Sequence, residues 1–531
     1  MLFSDYYIYI VWLGMLLLIG KNMSIPQHGK IPFISRNLLP SIDSLWIMAA
    51  VVLAGCFTSM VPTPPTDFWW HLRAGQIIAT QGIPTTNIFA WSLPADRPYL
   101  YATWLAEWLF WALVQLGGLQ APALARNLLA IGLFGLVALN AHSRSASWRL
   151  AALAVVLLLL MSINNLIIRT QNWAWIPFAA FCVILAAYAA KRQKPAMLAL
   201  LPMLMIIWVN VHGSFVLGLV LIAIYCAGES LRSILGHADC MSFRQLRWLY
   251  AVFVLTGLAT CINPIGLGMF GYVRMMLSDP SSQNLVNEWQ SPTPRNPAGF
   301  FFFASVLILM VVLGLGRRRP TITDMLLVGA FVWLAWGGQR YVIWFGIVAM
   351  PILVQGLSTA QASPQRVGLV AINAVIAAVL LGLLLVCQPP LRNSLPFPRP
   401  YRELFANVPS APLTYDASTP VEAVEWMRAH LPADARLFNT MQVGSYLIWA
   451  LPTTPVFIDT RVELFPPKLW ERYIEISNGR DSTSLLREDA VSHVLLQRDV
   501  QPELLARLEQ EQQHWQLVYE DKKFVIYEYK Q

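Results

Sequence analysis

The chain has 531 residues, 56% of them hydrophobic and only 12% charged, where soluble domains average about 25% charged. That composition excludes a single soluble core. The net charge of +8 does not signal a nucleic-acid partner, because most of the excess sits in short loops between apolar blocks, as membrane topology requires. No CxxC pair occurs among the six cysteines, and none lies beyond Cys387, which argues against zinc sites and a disulfide framework.

Residues 1–43 begin with an apolar stretch at 6–20 that follows Asp5 and lacks a basic leader. It reads as a membrane-associated helix rather than a signal peptide, and a cytoplasmic segment follows it. Residues 44–390 form the transmembrane domain. A helix rises 1.5 Å per residue and needs about 20 apolar residues to cross the hydrocarbon. Runs near that length recur at 44–61, 124–141, 150–166, 173–190, 196–211, 214–228, 249–266, 299–316, 322–338, 341–356 and 367–387. The expectation is an α-helical polytopic membrane protein of about 11–12 transmembrane helices.

Placing the segment before Ser44 in the cytoplasm puts fifteen Lys and Arg residues in inside loops and seven in the longer outside loops. This is the bias of positive-inside topology. Eleven crossings then leave everything after residue 390 outside the cytoplasm. Two outer loops, 62–123 and 267–298, exceed what a connection needs and are expected to carry function. The first contains 104–116, a tryptophan-rich stretch suited to the membrane interface.

That first loop opens Asp67-Phe68-Trp69-Trp70-His71-Leu72-Arg73-Ala74-Gly75, passes through Gly82-Ile83-Pro84, and reaches Trp104-Leu105-Ala106-Glu107-Trp108. A carboxylate held against aromatic rings at a membrane exit is partly desolvated, gains basicity and can take a proton from a hydroxyl. Alternatively, Asp67 only caps the helix that starts at Phe68. The residue types leave both readings open.

A carboxylate just after the first crossing, then a helix, Gly-x-Pro and a second aromatic helix carrying an acid resembles the first outer loop of the GT-C superfamily. These are integral-membrane glycosyltransferases that use polyprenyl-phosphate sugars, the protein O-mannosyltransferases and the aminoarabinose transferases of lipid A among them. The resemblance covers the plan of the chain. DxWWHL, WxNxHG and FIDxR patterns also make it similar to other bacterial polytopic membrane proteins. The GT-C resemblance implies a transferase at the outer face of a bacterial inner membrane, with Asp67 as catalytic base and His71 and Glu107 near the substrate. Its donor would be a polyprenyl-phosphate-linked sugar and its acceptor a glycan, lipid or protein. The family's acid is frequently followed by a second acid, whereas Phe68 follows Asp67 here. A divalent cation is therefore left open, and no other cofactor is expected.

Such a reaction needs a cationic clamp for phosphate, and arginine supplies one through its bidentate fork. Arg169 and Arg340 lie at predicted outer helix ends, where snorkelling to lipid headgroups is the other reading. Gln171 neighbours Arg169, while Asn210 and His212 sit in a tight turn and either line the donor site or satisfy the turn's backbone. Glu288, beside Trp289 in the second outer loop, is a further acid next to a sugar-stacking platform. After a Pro-rich linker at 391–412, residues 413–531 alternate helix and strand as a small α/β domain. There Asp459 and Arg461 follow a strand expected at 455–458, where they either bind an acceptor or form a docking ion pair. The competing functions are a transporter or flippase of lipid-linked saccharide and a non-catalytic membrane subunit. The polar residues gather near the outer end rather than mid-membrane, which favours a transferase.

Overall fold

The computed structural model describes residues 41–358, 368–394 and 415–530. The apolar stretch at 6–20, Arg366 and most of the Pro-rich linker lie outside the described residues. Each of the eleven apolar runs falls on a helix. Among the described residues, seven helices are long and apolar enough to cross a membrane, from Ile42–Met60 to Val370–Cys387, and Trp148–Met161, Pro195–Val211 and Ile322–Trp336 are shorter apolar helices. The protein is a polytopic helical membrane protein with a small C-terminal α/β domain.

Local chemistry sets the helix starts. Ser41 accepts from the Ser44 amide at 3.1 Å, and Ser147 caps Trp148–Met161 in the same way. Thr321 and Asp324 form a reciprocal capping box, and Asn296 followed by Pro297 opens Pro297–Leu315. Each device satisfies amides that a helix start leaves without partners. At the end remote from the C-terminal domain, Arg144 bonds Asp324 at 2.9 Å and Gln355 at 2.8 Å. Arg126 lies buried inside Gln120–Ser145. Its guanidinium bonds the carbonyls of Val61 and Thr58 at 3.0 and 2.8 Å, tying this helix to the end of the first.

The C-terminal domain contains a four-stranded sheet, β1 (Leu437–Asn439), β2 (His493–Gln497), β3 (Trp515–Glu520) and β4 (Phe524–Tyr529), in the order β1-β2-β4-β3. β1 runs parallel to β2 and the other pairs are antiparallel. The expected strand at 455–458 does not join this sheet. Val456 pairs with Ala90 of the first long loop, its amide donating to Phe89 O at 2.9 Å and its carbonyl accepting from the Trp91 amide at 3.0 Å. The segment bridges two parts of the chain because its backbone groups find partners in that loop.

The same loop and domain share one hydrophobic core. Trp69, 1% exposed, packs edge-on against Tyr415 and Tyr446 at centroid distances of 5.1 and 5.0 Å. Full burial of such a side chain contributes about 1.5–3 kcal/mol. The Asp416 amide bonds Thr63 O, and the Tyr446 amide bonds Pro65 O. The domain is therefore seated on the loop that carries Asp67.

Candidate active site

Phe68–Gln81 and Trp104–Gly117 pack closely, because Gly75 lets one backbone lie against the other. A Cβ there would stand 1.9 Å from the Glu107 carbonyl oxygen. One helical turn earlier, His71 Nδ1 meets Glu107 Oε1 at 3.0 Å, and Thr103 Oγ1 donates to the same oxygen at 2.9 Å. Glu107 is fully buried, and its Oε2 has no hydrogen-bond partner among the described residues.

Asp67 precedes this helix, but its carboxylate makes no capping bond, so the capping reading of the sequence does not hold. It lies 3.6 Å from Arg169 Nε, beyond hydrogen-bonding range but close enough for charge attraction. Arg169 also forms a salt bridge to Glu288 through Nη1. Burial alone would raise the Glu288 carboxyl, yet the guanidinium of Arg169 and then that of Arg340 outweigh it and hold Glu288 below the usual carboxylate range. Arg340 stacks over Trp289 at 4.2 Å.

His212 caps the short turn at Gly213–Phe215, its Nδ1 accepting from the Ser214 amide at 3.1 Å. Burial, with Arg340, His71 and Arg169 nearby, pushes the ring down to about 3. The imidazole is thus neutral at pH 7, with its remaining proton on Nε2.

Asp67, His71, Glu107, Arg169, Gln171, His212, Glu288, Arg340 and Arg461 all line one cavity of about 400 Å³. Residues from both long loops, from helix ends and from the C-terminal domain thus converge on it. Two expected residues stay outside its wall. Asn210 is a structural brace, accepting from Trp104 Nε1 at 2.8 Å and donating to Ile262 O at 2.8 Å. Asp459 is fully buried and holds Arg461 bidentately, at 2.9 and 2.7 Å. The pair lies within the domain, and Arg461 is seated among the rings of Phe89, Tyr99 and Trp70 at 5.0, 5.1 and 5.8 Å. Its Nη1 is buried without a hydrogen-bond partner among the described residues.

Glu463 was missed by the sequence reading. It lines the cavity and accepts from Tyr99 OH at 3.0 Å. Burial raises its carboxyl to about 7, against the opposing pull of the Tyr99 bond and Arg461. Its only sequence signal is its place two residues after Arg461.

A divalent cation does not suit these donors. Asp67 and Glu288 both face Arg169, and Glu288 also lies near Arg340, so the two carboxylates already have two guanidinium partners. Among the described residues, no group of three or more His, Cys, Asp or Glu side chains is placed to hold a metal. The arrangement offers instead a carboxylate, Asp67, beside the Arg169 guanidinium in a cavity that Arg340 also lines.

No family model matches the sequence, and no curated protein matches it. Solved structures do. ArnT from Cupriavidus metallidurans in the apo state superposes with a TM-score of 0.51 at 14% identity, over 91% of this chain and 97% of that one. The arabinofuranosyltransferase AftD from Mycobacteria gives 0.50 at 14% identity, over 93% of this chain and 40% of that one. The Archaeoglobus fulgidus oligosaccharyltransferase in complex with Zn and sulfate gives 0.50 at 12% identity, covering 90% and 73%. These proteins share the GT-C architecture that the first loop resembles, and the chain described here has the GT-C fold.

Proposed function

We propose that this protein is a membrane glycosyltransferase that moves a sugar from a polyprenyl-phosphate donor to an acceptor outside the cytoplasm. The observation that carries the reading is the convergence of Asp67 with Arg169 and Arg340, residues more than a hundred positions apart, on one cavity. A structure of ArnT bound to undecaprenyl phosphate has a TM-score of 0.50 to this chain, which supports a lipid phosphate as the donor's carrier. Loop charge supports placing the cavity and the C-terminal domain on the outer side of a bacterial inner membrane.

In this reading Arg169 and Arg340 hold the donor phosphate, and Asp67 receives the acceptor's hydroxyl proton. The acceptor oxygen bonds to the anomeric carbon as the carbon–oxygen bond to phosphate breaks, and polyprenyl phosphate departs with the electron pair. The guanidiniums stabilise the charge that develops on the leaving phosphate. Neutral His212 contributes an N–H donor without adding a charge.

Transfer of labelled sugar from a polyprenyl-phosphate donor, measured in proteoliposomes, tests this. Asp67→Asn should lose transfer by about 10²–10⁴-fold, the contribution of a positioned base, while the protein remains folded and still binds polyprenyl phosphate. Unchanged transfer would refute Asp67 as the base. Movement of intact lipid-saccharide across the bilayer without a new glycosidic bond would identify a flippase instead.

A further inference from the structure

A second cavity of about 590 Å³ lies beside the first. The two share Tyr99, Tyr272 and Glu463 in their common wall. The second is apolar over most of its lining, with Ile83, Trp104, Ile265, Met269 and Leu464 contributing. One side is formed by Gly268–Ser278, a helix in which only Met269 is buried. Phe270, Met275 and Leu277 of that helix are exposed, as expected where a helix lies along a lipid interface.

The first cavity has an apolar side of its own, lined by Val216, Leu217, Val273, Met276 and Leu334. That side can take a donor's lipid tail without the second cavity. Two apolar hollows meeting at one polar centre point to two lipid-borne reactants. Arg97 also lines the second cavity, and its guanidinium makes no ion pair with the described residues. An unpaired guanidinium at the edge of an apolar hollow matches the anionic head of an amphiphile.

We propose that the second cavity binds the acceptor, and that the acceptor is a lipid-borne alcohol with an apolar body and an anionic head. Its hydroxyl reaches Asp67 past the Tyr99–Glu463 pair, where the C-terminal domain forms part of the gate. This rests on reading the first cavity as the transfer site.

Photolabelling of the full chain in nanodiscs tests the site independently of activity. The probe is a single-chain alkyl phosphate with a diazirine in its tail, compared with the matching uncharged alcohol. The phosphate should label residues 264–275. Arg97→Glu should reduce that label about tenfold, as repulsion replaces a charge-assisted contact, and Ile265→Trp should abolish it by filling the hollow. Equal labelling of both probes, or label confined to the Val216–Leu217 wall, would overturn the proposal. In the transfer assay with bacterial membrane lipids, labelled sugar should enter the lipid fraction. Ile265→Trp should stop this without weakening polyprenyl-phosphate binding. Product found only on protein would also overturn the proposal. Arg97-dependent labelling of 264–275 in a wild type that transfers no sugar would leave the amphiphile site standing and refute the transferase reading.

Discussion

Gly75 gives the most quantitative handle on the site. A Cβ at this position would stand 1.9 Å from the Glu107 carbonyl oxygen, where real contacts stay above 3.0 Å. The obstacle is backbone, so Gly75→Ala must separate the two helices by roughly an ångström. Residues 71 and 75 lie one turn apart on the same helix face, so that separation carries His71 away from Glu107. The present distance is 3.0 Å, and adding about 1 Å takes it past the limit of a hydrogen bond. Glu107 would then keep only its Thr103 contact while remaining buried. Overpacking of this kind costs about 1–3 kcal/mol in stability, and a 1 Å misplacement near reacting groups can cost about 10²-fold in rate. Thermal unfolding in detergent reads the first effect and sugar transfer reads the second. Gly75→Ser should behave alike, since it introduces the same Cβ. A Gly75→Ala protein with unchanged unfolding temperature and transfer within about twofold of wild type would refute this account of how the helices position the site.

Three further outcomes are expected. Asp459→Asn leaves Arg461 buried without its counter-charge, so the protein should lose about 3–5 kcal/mol of stability, read by denaturant unfolding of the C-terminal domain. Glu463 is held above the value it has in an unfolded chain, so docking of the domain should weaken as pH rises from about 4.5 to about 7 and level off above that. Glu463→Gln should flatten this dependence and stabilise the protein at pH 8 but not at pH 4.5, as limited proteolysis across pH would show. Arg340→Lys keeps the charge but loses the planar stack on Trp289, so it should weaken polyprenyl-phosphate binding less than Arg340→Gln does.

Much of the architecture was legible because membrane helices are written in single continuous runs. An apolar stretch of near-spanning length needs no partner to be recognised, and all eleven fall on helices. The strand expected at 455–458 shows the opposite case. Its composition suits a sheet, but only the folded chain reveals that Val456 pairs with Ala90 and not with β1. Among the site residues, Asp67, Arg169 and Arg340 stood out because charge at a membrane exit is costly and demands a reason, whereas Glu288 was marked only by its place beside Trp289. Asn210 looked equivalent by that criterion, yet it only braces Trp104 and Ile262. Glu463 carried no signal of its own, since a glutamate in a soluble domain is ordinary until burial and Tyr99 surround it. Pairings such as His71 with Glu107 depend on a glycine one turn away, a geometric fact that residue types do not announce.

The account stands or falls on whether a lipid phosphate sits between Arg169 and Arg340 beside Asp67. An experimental structure of the protein with bound polyprenyl phosphate measures this directly. The expected result is phosphate oxygens about 2.7–2.9 Å from guanidinium nitrogens of both arginines, with the Asp67 carboxylate facing the position of the anomeric carbon. A phosphate bound elsewhere, with Arg169 still occupied only by Asp67 and Glu288, would contradict it.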